Sequence, residues 1–146
     1  MFDSSSYILS EESLKFILKK ECERAERYSN FFSILMIKLE IPSAGDSFFS
    51  TTASLVRSGI RDSDIMGTLQ DKDLVVILHH VDAQSTDEIA MRIKQRIQEY
   101  AHRFSQDSDE RQIRVGAACF PTHAPTPQDL LRTAQERSSE PKAHFN

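Results

Sequence analysis

Apolar residues recur along this chain in two different periods, and the changes from one to the other mark its elements. Leu14, Ile17, Leu18 and Ala25 share one helical face. They predict a helix from Glu11 to Tyr28, with Ser10 as N-cap and Glu11 and Glu12 at the positive end of its dipole. Lys19, Lys20, Glu23, Arg24, Glu26 and Arg27 make a charged, solvated remainder. From Phe31 to Glu40 the run is apolar on both faces, which predicts a central strand. Pro42 and Gly45 end it. Phe48, Leu55 and Val56 suggest a short helix from Ser47 to Gly59, with Phe48 and Phe49 expected in the core. Asp64 to Leu69 and Asp73 to His80 read as two strands joined by the tight polar turn Gln70-Asp71-Lys72. Ile89, Ala90, Ile93, Ile97 and Ala101 give the longest helix, Ala83 to Phe104. Gln112 to Phe120 is a strand with Ile113, Val115, Ala117 and Cys119 alternating inward. Thr126-Pro127-Gln128-Asp129 opens a last helix, with Thr126 as cap and Asp129 completing a capping-box-like pattern.

The central order is strand, helix, strand, strand, helix, strand. That predicts an α+β domain with a ferredoxin-like βαββαβ core: an antiparallel sheet with helices on one face, flanked by an N-terminal and a C-terminal helix. Residues 1–9 are expected to be a flexible N-terminus, 10–137 the domain and 138–146 a loose tail. Such a fold hosts many functions and decides none of them.

A formal net charge of −4 argues against broad binding to nucleic acid or to an anionic membrane. The longest apolar runs, Phe31–Ile37 and Leu74–Leu78, are too short to span a bilayer. Met1-Phe2-Asp3-Ser4-Ser5-Ser6 has neither a basic region nor an apolar stretch, so no signal peptide and a cytoplasmic location are expected. Cys22 and Cys119 fit no metal or redox spacing and read as reduced thiols. His79 and His80 are neighbours on a strand and point to opposite faces. His102, His123 and His144 are isolated, and Asp107, Asp109 and Glu110 read as a solvated turn. Neither a metal site nor a cofactor is expected.

Several segments, in order and spacing, resemble the GGDEF family of diguanylate cyclases from about Leu14 to Ala134. Ser33-Ile34-Leu35-Met36-Ile37-Lys38-Leu39-Glu40 is similar to the family's "LLMIDLD" strand, and Arg61-Asp62-Ser63-Asp64-Ile65-Met66-Gly67 to its "RxSDxxxR" run. Gln70-Asp71-Lys72-Asp73-Leu74 stands where "GGDEF" would stand, followed by the strand Val75-Val76-Ile77-Leu78. Ile89-Ala90-Met91-Arg92-Ile93 resembles "iAeRIr", Val115-Gly116-Ala117-Ala118 "SiGiA", and Pro127-Gln128-Asp129-Leu130-Leu131 with Ala134 "xxeLLxxAD".

The resemblance implies a cyclase that joins two GTP molecules across two facing domains, with carboxylates holding magnesium and glycines admitting the nucleotide. At each such position this chain departs from the pattern. Lys38 stands for the metal-binding Asp, Gln70 and Asp71 for the two glycines, Lys72 for the central Asp, and Asp73 for the Glu. Pro42 and Ser43 replace the Phe and Lys of the loop that cradles GTP, and that stretch is shorter by about two helical turns' worth of residues. Gly45-Asp46 resembles a guanine-contacting pair but is read first as a plain Gly-Asp turn before a helix, and Lys142 follows Ser138, Ser139 and Pro141, which break a helix. A catalytically inactive domain is therefore expected.

One family feature keeps its register. The inhibitory RxxD motif, which binds cyclic di-GMP, matches Arg61-Asp62-Ser63-Asp64, five residues ahead of the hairpin, and Arg92 matches the arginine that joins it. Arginine forks suit phosphate or guanine acceptors, and a carboxylate suits guanine N–H groups. The alternative is that Arg61 and Asp64 form only a surface ion pair or cap the strand entry, with Arg92 as ordinary helix surface. The expected roles are thus a cyclic di-GMP receptor or, alternatively, a module for binding another signalling protein or a second copy. A residual cyclase is the remotest reading.

Overall fold

The computed structural model describes residues 8–39, 46–70, 72–104 and 113–138. The element order is β1 (Ile8–Leu9), α1 (Glu11–Tyr28), β2 (Phe32–Leu39), α2 (Asp46–Ser58), β3 (Ile65–Leu69), β4 (Asp73–His79), α3 (Ala83–Phe104), β5 (Ile113–Phe120) and α4 (Pro127–Ser138). The strands form one sheet in the order β1-β3-β4-β2-β5. The four strands β3, β4, β2 and β5 are antiparallel to their neighbours, which is the expected ferredoxin-like core. The expectation of a loose stretch over residues 1–9 is corrected at its end. Ile8 and Leu9 pair in parallel with Met66 and Gly67 and add a fifth strand. Two apolar residues are too short a run for periodicity to reveal.

Both faces of the sheet are covered. Leu35, Ile37, Leu74, Val76 and Leu78 meet α2 and α3 through Val56, Ala90, Ile93 and Ile97. Ile34, Met36, Val75 and Ile77 meet α1 and α4 through Leu14, Leu18, Leu130 and Ala134. Helices on one face thus describes the core pair alone, because the two flanking helices close the other side. This also corrects the reading of β5. Ile113, Val115 and Ala117 face the α2/α3 core, but Ala118 and Phe120 enter the second core. The strand is apolar on both faces for the same reason that β2 is.

The caps behave as their chemistry dictates. Ser10 accepts a hydrogen bond from the Ser13 N–H at 3.2 Å, and Thr126 Oγ1 accepts one from Asp129 N–H at 3.1 Å. Phe49 packs at the edge of the α2/α3 core. No helix of the described residues is long and apolar enough to cross a membrane.

Candidate functional site

The two groups of residues singled out in the sequence lie at opposite ends of β3 and β4. Five residues of strand separate them, about 16 Å.

At the hairpin end, β2 and β4 are antiparallel with Ile37 opposite Leu74. One step further along, Lys38 and Asp73 stand opposite each other. The Lys38 ammonium lies 3.8 Å from Asp73 Oδ2, and the two side chains are only 16% and 9% exposed. The turn is closed by the Lys72 N–H donating to the Leu69 carbonyl at 3.2 Å, with Gln70 in the left-handed region at φ 56°. A glycine would take that conformation freely; here a side chain accepts the strain. Part of the compensation comes from α1. The Gln70 N–H donates to Glu11 Oε1 at 2.7 Å, and the other oxygen of Glu11 meets Lys15 Nζ at 3.0 Å. The Gln70 N–H bond first, and then Lys15, hold the Glu11 carboxyl below the ordinary carboxylate range. Asp71, Pro42, Ser43, Gly45 and Lys142 lie outside the described residues.

Magnesium on a triphosphate is held by carboxylate oxygens, water and phosphate in a near-octahedral shell. This end of the sheet offers Asp73, and an ammonium already faces it. Among the described residues, a single carboxylate facing an ammonium does not make a divalent-cation site. Among the described residues no three His, Cys, Asp or Glu side chains cluster as metal ligands.

At the other end, Arg61 to Asp64 form a turn folded around the Asp64 carboxylate. The Asp64 side chain is 2% exposed. Its Oδ2 accepts from the Arg61 N–H at 2.9 Å and lies 3.7 Å from Arg61 Nε. Its Oδ1 accepts from the His79 N–H at 3.3 Å and lies 4.0 Å from the His79 ring. The Arg61 guanidinium also donates to the His79 carbonyl, and Arg57 Nη1 donates to the Asp64 carbonyl at 3.1 Å. Arg61 itself is 57% exposed. Arg92 is exposed on α3, and no hydrogen bond or ion pair joins it to Arg61 or Asp64. The structure therefore brings Arg61 and Asp64 together, and Arg92 bonds directly to neither. Asp64 is an internal group of the fold, which is closer to the strand-entry cap than to an open acceptor.

Sequence patterns missed the groups that tie α1 to the sheet. His79 Nε2 lies 3.2 Å from Glu21 Oε2 on α1, while its ring also faces Asp64. Glu21, Arg24, Asn30, Phe31, Ser63 and His80 surround a cavity of about 330 Å³ beside this network. Glu11 was legible only as a dipole-matched residue, and Glu21 carried no signal that set it apart on its helix. Nothing in their spacing signals a partner as distant in the chain as Gln70 is from Glu11, 59 residues, or His79 from Glu21. Cys22 is buried, and that burial pushes its thiol up to about 12, with the neighbouring glutamates adding to it, so it is no nucleophile.

A model of the family described as "Diguanylate cyclase, GGDEF domain" matches residues 42–145. Among solved structures, the GGDEF domain of YfiN (TpbB) from Pseudomonas aeruginosa is similar over 94% of this chain and 86% of its own, at 20% identity and a TM-score of 0.74. The active GGEEF domain of a diguanylate cyclase from Vibrio cholerae covers 88% of this chain and 87% of its own, at 18% identity and a TM-score of 0.73. The GGDEF domain of DgcB from Caulobacter crescentus, solved in complex with c-di-GMP, covers 90% and 81%, at 13% identity and a TM-score of 0.68. A search of curated proteins finds no match. At these identities the solved structures speak for the fold alone, whereas the family model spans well over half of the sequence: the chain belongs to the GGDEF family.

Proposed function

We propose that this chain is a non-catalytic GGDEF domain, a signalling module that forms no cyclic di-GMP and acts by presenting its surface to a ligand or a partner. The observation that carries this reading is the Lys38–Asp73 pair. An ammonium 3.8 Å from Asp73 occupies the charge environment a metal would need. A fixed cation there repels a divalent ion at short range, and among the described residues no group of three carboxylate, His or Cys side chains is placed to offset it. The occupied Gln70 N–H and the Gln70 side chain oppose close approach of a nucleotide as well. The test is direct. With GTP and magnesium, the purified protein is expected to give no cyclic di-GMP and no linear dinucleotide above a heat-denatured control. Product formation that scales with protein concentration would overturn the reading.

Within it, cyclic di-GMP recognition through Arg61, Asp64 and Arg92 is the second reading. In its favour, Arg61 and Arg92 present guanidinium groups to solvent at the family's spacing. Against it, the Asp64 carboxylate is enclosed by its own turn. Calorimetric titration with cyclic di-GMP separates the two. Arg92→Ala is the cleaner probe because Arg92 makes no hydrogen bond or ion pair within the described fold, whereas Arg61 also holds the His79 carbonyl. Receptor function predicts heat at micromolar protein that Arg92→Ala weakens about tenfold, the loss of one charge-assisted contact. Absence of heat from the wild type assigns the module to a protein partner or to a second copy of itself.

A further inference from the structure

We infer that the cavity between α1 and the Arg61–Asp64 turn is a binding site for a small aromatic carboxylate. The cavity lies away from the hairpin, so the inference holds whether or not the domain forms cyclic di-GMP. Its walls converge from three parts of the fold. The end of α1 and the residues after it give Arg24, Asn30 and Phe31, the turn before β3 gives Ser63, and the end of β4 gives His79 and His80. His79 points to the face of the sheet that α1 covers, as do Val75 and Ile77, which alternate with it along β4. Arg92 belongs to α3, which covers the opposite face. The cavity is therefore distinct from a surface that would join Arg61 to Arg92.

The lining selects the ligand by charge, ring and size. Its one carboxylate, Glu21, is already engaged, with Oε2 3.2 Å from His79 Nε2. Its one arginine, Arg24, makes no hydrogen bond or ion pair among the described residues. An open guanidinium fork pairs through two parallel bonds with a single carboxylate. A phosphate dianion would call for a second fixed cation, and the lining holds neither a lysine nor another arginine. Phe31 is 42% exposed, while its neighbour Phe32 is buried and stacks on Phe120 at 5.3 Å. The Phe31 ring stands at 90° to the His80 ring, 6.4 Å between centroids. Two rings at right angles form a corner: a flat ligand ring laid on one meets the edge of the other, and both are arrangements that aromatic pairs favour. His80 holds its side of the corner from a left-handed backbone, φ 57°, which a residue with a side chain adopts at a cost. Asn30 and Ser63 add neutral hydrogen-bonding groups to the walls. A volume of about 330 Å³ is at the small end of ligand cavities and suits one ring or two fused rings with a short acid arm.

The probe is indole-3-acetate, titrated into the full chain while the backbone amide signals of Asn30, Phe31, Ser63 and His80 are followed by NMR. Expected are saturable shifts at these positions. The affinity should exceed by about tenfold that for indole, which lacks the acid, and that for acetate, which lacks the ring. Arg24→Ala removes the charge-assisted contact and Phe31→Ala the ring contact, and each should weaken binding about tenfold. Both side chains are exposed, and the dispersion of each variant's spectrum reports its folding. Arg92→Ala, on the other face, should bind as the wild type does. Non-saturating shifts, equal affinity for indole or acetate, equal affinity in folded Arg24→Ala, or a loss in Arg92→Ala as large as that in Arg24→Ala would overturn the inference. None of these outcomes touches the GTP assay, so the two readings fail separately.

Discussion

Gly116→Ala is expected to unseat α4 and to be the most destabilising single-methyl change in this domain. A Cβ at Gly116 would fall 2.0 Å from the Ala134 carbonyl oxygen and 2.5 Å from the Ser138 nitrogen. Both are backbone atoms of α4, so no rotamer change relieves the contact. The helix must lift from β5, and Leu130 and Ala134, both fully buried, move with it. Overpacking ordinarily costs about 1–3 kcal/mol, and a backbone obstacle places this case at or above the upper end, about 3 kcal/mol or more. For a chain of this size that lowers the melting temperature by roughly 6–12 °C. Gly59→Ala is the control. There the nearest atom is Arg96 Nη1 at 3.3 Å, the far end of a flexible side chain. Denaturant unfolding of both variants checks the contrast; equal midpoints would show that α4 does not pack on Gly116 as described.

Asp64→Ala should cost about 2–4 kcal/mol of stability whatever the protein binds, because it strands the N–H groups of Arg61 and His79 that the carboxylate now satisfies. Asp64→Asn keeps one acceptor and should lose less. Asp62→Ala, two residues away and exposed, should stay within about 0.5 kcal/mol of the wild type. The order Ala, then Asn, then the Asp62 variant in chemical denaturation supports Asp64 as the closing group of its turn. If Asp64→Ala were as stable as the wild type, the enclosed carboxylate would have no structural role, and its availability to a ligand would have to be reconsidered. For the same reason, lost cyclic di-GMP binding in an Asp64 variant would not by itself identify a ligand contact, and Arg92 is the better position to change.

What the sequence determined by itself is the part set by local physics. Apolar periodicity placed the long helices and the four core strands, Ser10 and Thr126 marked helix starts through capping, and the Gln70–Asp73 turn marked a hairpin. The order of these elements then limited the topology to a ferredoxin-like core. Lys38 and Asp73 were each recognisable as departures from the family's motif. The tertiary structure alone decided that they face each other at 3.8 Å, because that depends on the β2/β4 register, a relation between residues far apart in the chain. It also decided that α1 and α4 cover the second face of the sheet, and that Glu11 and Glu21 fasten α1 to the hairpin turn and to His79. The RxxD spacing survives equally well whether Asp64 points to solvent or inward, since sequence spacing carries no direction. Burial gives it one: the carboxylate turns in to satisfy two backbone donors, and Arg61 is left at the surface.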